Sequence, residues 1–160
     1  MIKTAYFASG CFWGTEYYLG QVDGVVSTTA GYIGGELPNP TYEQVSTGNT
    51  GHVEAAKVDY DSEKVSYEDL AKVFFESHDP TQVGGQGPDF GPQYLSKIFY
   101  TTNEEQETAQ KLIGILESKG MKIATKVEKA TTFYPAEAYH QDYFAKNNQS
   151  QVCHVYQKLF

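Results

Sequence analysis

The order of hydrophobic periods along this chain limits its fold more than any other feature. Residues 4–8 read as a strand, and residues 12–19 as a short helix stopped near Gly20. Two more strands follow over 25–32 and 53–60, with a turn-rich stretch at 34–40 between them. A helix opens at Ser66, where Ser66-Tyr67-Glu68-Asp69 resembles a capping box and Leu70, Val73 and Phe74 form an apolar stripe. Residues 95–101 read as a strand. Thr102-Asn103-Glu104-Glu105 caps a helix over 102–119, whose stripe is Ala109, Leu112, Ile113 and Leu116 and whose stop is Gly120. A strand over 123–130 comes next, and Pro135 suits the first position of a last helix running to about Lys146. The order β-α-β-β-α-β-α-β lacks strict alternation. It predicts one α+β domain over residues 1–160, a ferredoxin-like two-layer fold with a mixed sheet and helices on one face. The polar run 147–151 predicts a mobile C-terminal tail from about residue 147.

Charge and cysteine usage narrow the partners. The formal net charge is -8, and all 12 basic residues are lysines. Without arginine, the chain lacks the forked donor suited to phosphate, which argues against nucleic acid and anionic membranes. No apolar run approaches membrane-spanning length. Two cysteines make no disulfide framework and suit a reducing compartment or a redox pair within one. Ala8-Ser9-Gly10-Cys11 resembles a bacterial lipoprotein cleavage site, but the apolar stretch 5–8 is too short for a signal-peptide core. A cytoplasmic, monomeric protein is expected. His52, His78, His140 and His154 complete no credible metal site with the cysteines, so no metal or other cofactor is expected.

Chemistry concentrates at Gly10-Cys11-Phe12-Trp13-Gly14. A thiol after a strand and at a helix start meets unpaired N–H groups and the helix dipole, which lower its pKa below the ordinary value of about 8.5. A buried, inert cysteine is the alternative. Phe12 and Trp13 read either as core or as a pocket for a small apolar group beside the thiol. Glu54 is an exposed strand carboxylate or, if buried among tyrosines, a protonated general acid. Tyr32, Tyr94 and Asp89 are surface turn residues or a set of hydroxyl donors with an orienting carboxylate. Residues 78–94, rich in glycine and proline, form a long loop of the kind that carries function. Cys153 is a spare thiol or a resolving cysteine for an oxidised Cys11.

Taken together, these segments closely resemble the A-type peptide methionine sulfoxide reductases. The resemblance runs through Gly10-Cys11-Phe12-Trp13-Gly14 with Glu16, Gly31-Tyr32-Ile33-Gly34-Gly35 and Gly51-His52-Val53-Glu54. It continues in His78-Asp79-Pro80-Thr81, Asp89 through Gln93-Tyr94, and Tyr139-His140-Gln141. It implies a ferredoxin-like α/β roll that reduces the S-epimer of methionine sulfoxide, free or in proteins and peptides, with thioredoxin as external dithiol. It further implies Cys11 as nucleophile, Glu54 as proton donor assisted by Tyr32 and Tyr94, and Asp89 in the backing network. Phe12 and Trp13 would hold the substrate methyl, and Cys153 would resolve the oxidised Cys11. The chain departs from the family pattern at Leu95, commonly Arg, and in the loop Pro88-Asp89-Phe90-Gly91-Pro92. With no third cysteine, a two-cysteine cycle is implied. A thiol peroxidase is the competing enzyme, since it needs both cysteines but neither Glu54 nor the aromatic pair. A redox-sensing module without turnover is the non-enzymatic alternative.

Overall fold

The computed structural model describes residues 1–141, 143 and 156–160. Strand β1 (Ile2–Ser9) leads into helix α1 (Phe12–Gly20), followed by β2 (Val25–Ile33), a short α2 (Tyr42–Ser46) and β3 (Val53–Asp61). Helix α3 (Tyr67–Glu76) precedes a small hairpin of β4 (Gly85–Gln86) and β5 (Asp89–Phe90). Then come β6 (Ser96–Tyr100), α4 (Asn103–Ser118), β7 (Lys126–Lys129) and β8 (Tyr134–Pro135). Six strands form one sheet in the order β7-β6-β1-β3-β2-β8. Only β6 and β7 run parallel; every other neighbouring pair in this sheet is antiparallel. The sheet is therefore mixed, in an α+β domain.

Strand alternation sorts the core onto two faces. Ala5 and Phe7 of β1, Ala56 and Val58 of β3 and Ile98 of β6 pack against Leu19, Leu70, Phe74, Leu112 and Leu116 of the helices. Their neighbours Ala8, Val53, Ala55 and Phe99 gather on the other face with Ile33, Leu95, Ala130 and Phe133. Leu95 thus adds to the packed apolar face away from the helices. The caps follow the sequence. Ser66 Oγ accepts the Asp69 N–H at 3.0 Å and Thr102 Oγ1 accepts the Glu105 N–H at 3.2 Å, each contributing about 1 kcal/mol. The Glu105 carboxylate reaches Thr101 N–H, at 2.8 Å, rather than closing the reciprocal box.

Three expectations need correction. Pro135 does not start a helix: it pairs with Gly31 at the sheet edge, where a missing N–H costs no ladder bond. A 3-10 turn at Ala138–His140 follows instead. Helix α2 lies in a stretch to which no element was assigned, opened by a full capping box between Thr41 and Gln44. The long 78–94 loop is ordered by the β4–β5 hairpin and a 3-10 turn at Pro92–Tyr94. Beyond Tyr143, the expected last helix lies outside the described residues, as does the tail from about residue 147 that carries Cys153. No helix among the described residues is long and apolar enough to cross a membrane.

The described C-terminal residues return to α3. Glu76 is only 3% exposed. Its carboxylate accepts the Tyr156 hydroxyl at 2.9 Å and the N–H groups of Leu159 and Phe160 at 2.9 and 3.3 Å.

Candidate active site

One end of the sheet gathers the residues that carry chemistry. Ser9 ends β1 opposite Ser96, the first residue of β6, while Tyr32 pairs with Glu54 across β2 and β3. Continuing the Phe7–Ala56 register by two residues sets Ser9 across from Glu54. Cys11 follows directly. Gly10 makes the turn with φ at +91°, and a Cβ there would stand 2.6 Å from Gln86 Cβ. Glycine is required on both counts. Gln86 is held by its own exchange with the Asp79 backbone, at 2.9 and 2.7 Å. The His78-Asp79-Pro80-Thr81 run is therefore scaffold. His78 itself bridges Phe74 O and Ser96 Oγ at 2.6 and 2.7 Å.

Cys11 is half-buried at the N-cap of α1. Its carbonyl accepts the N–H groups of Gly14 and Thr15, so the thiol emerges where the helix presents its positive end. Glu54 is 1% exposed, and its Oε1 accepts the Phe12 N–H at 3.2 Å. Its Oε2 is buried with no hydrogen-bond partner among the described residues. Burial raises the Glu54 pKa well above the usual carboxylate range, and charge on Cys11 adds to the shift. The Phe12 N–H offsets part of it, and Asp89 pushes further upward. A thiolate at Cys11 and a proton on Glu54 therefore favour each other.

The tyrosines divide. Tyr94, at the end of its 3-10 turn, is pushed up by burial and then by Glu54, Tyr42, Asp89 and Cys11. Tyr42, the first residue of α2, is raised by burial and Glu54, and also lies near the Cys11 charge. Hydrogen bonds to Ser46 and to Tyr94 oppose the rise. Tyr42 was not anticipated from the sequence, although the Thr41–Gln44 capping box marks the turn that presents it. Tyr32 is fully buried, and its hydroxyl donates to Glu137 Oε1 at 2.9 Å. Burial and that bond raise its pKa far above the ordinary range. Glu137 was likewise not singled out from sequence.

The aromatic pair also divides. Phe12 has no exposed surface and packs on Tyr32, Tyr42 and His140 at 5.6, 6.3 and 5.0 Å between ring centres. Trp13 is half-buried, stacks on Tyr143 at 3.7 Å and donates its indole N–H to His140 Nδ1 at 3.0 Å. That bond places the His140 ring proton on Nε2. Asp89 sits in β5 opposite Gln86. Cys153 lies outside the described residues. Among those described, no group of three or more His, Cys, Asp or Glu side chains could hold a metal ion.

A buried acid beside an N-capping thiol can protonate an oxygen while sulfur is attacked, which is the chemistry of a sulfoxide. Comparison with known proteins points the same way. A family profile described as peptide methionine sulfoxide reductase matches residues 3–160. The peptide methionine sulfoxide reductase MsrA of Methanothermobacter thermautotrophicus is 51% identical over 148 residues, covering 91% of this chain and 88% of that protein. The MsrA of Nautilia profundicola is 49% identical over 149 residues, covering 93% and 86%. The crystal structure of Mxr1 from Saccharomyces cerevisiae in reduced form matches with a TM-score of 0.89 at 36% identity, covering 98% of this chain and 92% of that one. The structure of Mxr1 in complex with Trx2 matches with a TM-score of 0.65 at 26% identity, covering 98% and 90%. The chain is an oxidoreductase that acts on methionine sulfoxide, and it belongs to the A-type peptide methionine sulfoxide reductase family.

Proposed function

We infer that the chain reduces the S-epimer of methionine sulfoxide, free or within proteins and peptides, by thiolate attack of Cys11 on the sulfoxide sulfur. The observation that carries this reading is Glu54, buried, half-satisfied and pushed toward its protonated form beside Cys11. A sulfoxide oxygen leaves poorly unless it gains a proton. Glu54 supplies that proton as the Cys11–sulfur bond forms. Transfer of the resulting hydroxyl to Cys11 releases methionine and leaves a sulfenic acid. The Cys153 thiol then displaces water from the sulfenic acid, giving a Cys11–Cys153 disulfide. An external dithiol, thioredoxin in this reading, restores both thiols by exchange. The two electrons that reduce the sulfoxide thus come from two thiols, and no cofactor enters.

The assisting donors in this reading are Tyr94 and Tyr42, which share the surroundings of Glu54 and Cys11. Tyr32, expected in that role, has its hydroxyl committed to Glu137 and serves behind them. Asp89 biases Glu54 and Tyr94 toward protonation. The half-buried Trp13 offers the face for the substrate methyl, with Phe12 as its backing. Strands β6, β1, β3 and β2 stand in the 4-1-3-2 order of a ferredoxin-like roll, which supports that description of the fold. One chain supplies both nucleophile and acid, so a monomer suffices, and the reducing cytoplasm suits its thiol cycle.

The test is stoichiometric. The reduced protein, mixed with each epimer separately, should form about one equivalent of methionine from the S-sulfoxide and none from the R-sulfoxide. Cys11→Ser should form none. Failure of the unmodified protein to reduce either epimer would overturn the reading.

A further inference from the structure

Three segments meet at Glu137, and their geometry assigns it a task. Residues 134–141 are stitched to β2 on both sides of Glu137. Tyr134 and Pro135 pair with Tyr32 and Gly31, and the Ala136 N–H donates to Ala30 O at 2.8 Å. Beyond it, the Gln141 side chain accepts the Ala30 N–H at 2.7 Å and donates to Ala30 O at 2.9 Å. The approach is close: a Cβ on Gly31 would lie 2.3 Å from Phe133 Cζ and 2.5 Å from Tyr134 O. Glu137 therefore sits on backbone fixed to the sheet. Its Oε1 accepts the Tyr32 hydroxyl at 2.9 Å, and its Oε2 accepts the Tyr42 N–H at 2.9 Å.

That second bond acts at the first residue of α2. Tyr42 opens a five-residue helix reached from β2 through residues 34–41, a turn-rich connection. The Thr41–Gln44 capping box satisfies N–H groups at the start of α2, while its far end is held by Val45, which clusters with Phe12, Ala30 and Tyr32, and by Gln93 Nε2, which donates to Ser46 O at 3.2 Å. The Glu137 carboxylate joins the start of this helix to the sheet. We propose that Glu137 is a positioning residue for sulfoxide reduction: by holding the Tyr32 hydroxyl and the Tyr42 N–H with one carboxylate, it fixes the Tyr42 hydroxyl beside Tyr94, Glu54 and Cys11. The proposal rests on the reading of Tyr42 as a donor. Burial pushes the Glu137 pKa up, but the Tyr42 N–H, its own N–H and the Tyr32 hydroxyl act against burial, and the net shift is downward. The group stays below its ordinary range and remains the charged acceptor that both donors need.

The experiment is a double-mutant cycle on single-turnover methionine formation from free methionine S-sulfoxide, with KM measured in parallel. Glu137→Ala should slow the step about tenfold, the scale of one lost hydrogen bond to a charged acceptor. KM should stay within about twofold, since the donor acts in the transition state. Glu137→Gln, which keeps one acceptor oxygen, should recover part of the rate. In a Tyr42→Phe background the Glu137→Ala penalty should shrink below about twofold, because the group being positioned is gone. An undiminished penalty in that background, or a normal rate for Glu137→Ala alone, overturns the positioning role while the donor reading stands. A normal rate for Tyr42→Phe overturns the donor reading and the proposal with it. Should Glu137→Ala fail to fold, Glu137→Gln carries the same cycle.

Discussion

Glu54 and Glu76 are both carboxylates withdrawn from water, at 1% and 3% exposure, and their surroundings differ in kind. Glu76 receives a tyrosine hydroxyl and two backbone N–H groups, and it fastens the last residues of the chain to α3. Glu54 receives one N–H and keeps a buried oxygen with no partner among the described residues. Burial alone therefore does not mark a reactive acid. A buried carboxylate whose oxygens are both bonded holds structure. One left half-bonded next to a second anion prefers its proton and can deliver it.

The strongest way to break this contrast is substitution at Glu54. Glu54→Ala should lower the single-turnover rate of methionine formation by about 10²–10⁴-fold, the range for a general acid. Glu54→Gln should retain far more, because an amide still donates to the sulfoxide oxygen. Equal rates for the two variants in rapid-quench measurements would contradict the donor role. Glu76→Ala should act in the opposite sense. It should cost about 1–3 kcal/mol in urea unfolding, as the donors of three part-buried bonds lose their acceptor. Single-turnover reduction should be unchanged. A rate loss comparable to that of Glu54→Ala would erase the distinction between the two sites.

A smaller effect sharpens the comparison through pH. Above its ordinary value of 4.5, an unfolded-state Glu54 has lost its proton while the native one keeps it. The native state then binds more protons, so the Glu54 contribution to stability falls as pH rises from about 4.5 toward the folded value. Glu54→Gln carries no such proton. Its stability relative to the unmodified protein should therefore increase with pH across that window, by thermal melting at matched ionic strength. A difference that stays flat with pH would show that burial does not shift Glu54.

Much of this was legible in the chain, and the gaps have physical causes. Helices α1, α3 and α4 announced themselves through stripes, caps and stops, because helix ends are fixed by local hydrogen bonding. Strands β1, β2 and β3 followed from short apolar runs, and the buried Leu70 and Phe74 of α3 from a helical stripe. Cys11 and Glu54 could be singled out because both lie next to strand ends, which the antiparallel β1 and β3 bring to one end of the sheet. Pro135 misled because its fixed φ suits a helix start and an edge strand equally; pairing with Gly31, a long-range contact, decided between them. Tyr42 escaped notice because a five-residue helix has too short a period to detect. Its Thr41-to-Gln44 box was the available signal. Tyr32 was assigned a donor role because its position at a strand end is visible in sequence. Glu137, 105 residues away in sequence and bonded to its hydroxyl, is not.

The claim that orders these observations is that Glu54 holds a proton at neutral pH next to a reduced Cys11. Infrared difference spectroscopy between the unmodified protein and Glu54→Gln tests it directly. At pH 7 the reduced protein should show a protonated carboxylic C=O band that Glu54→Gln lacks. A carboxylate signature for Glu54 at that pH, with no protonated band, would contradict the account.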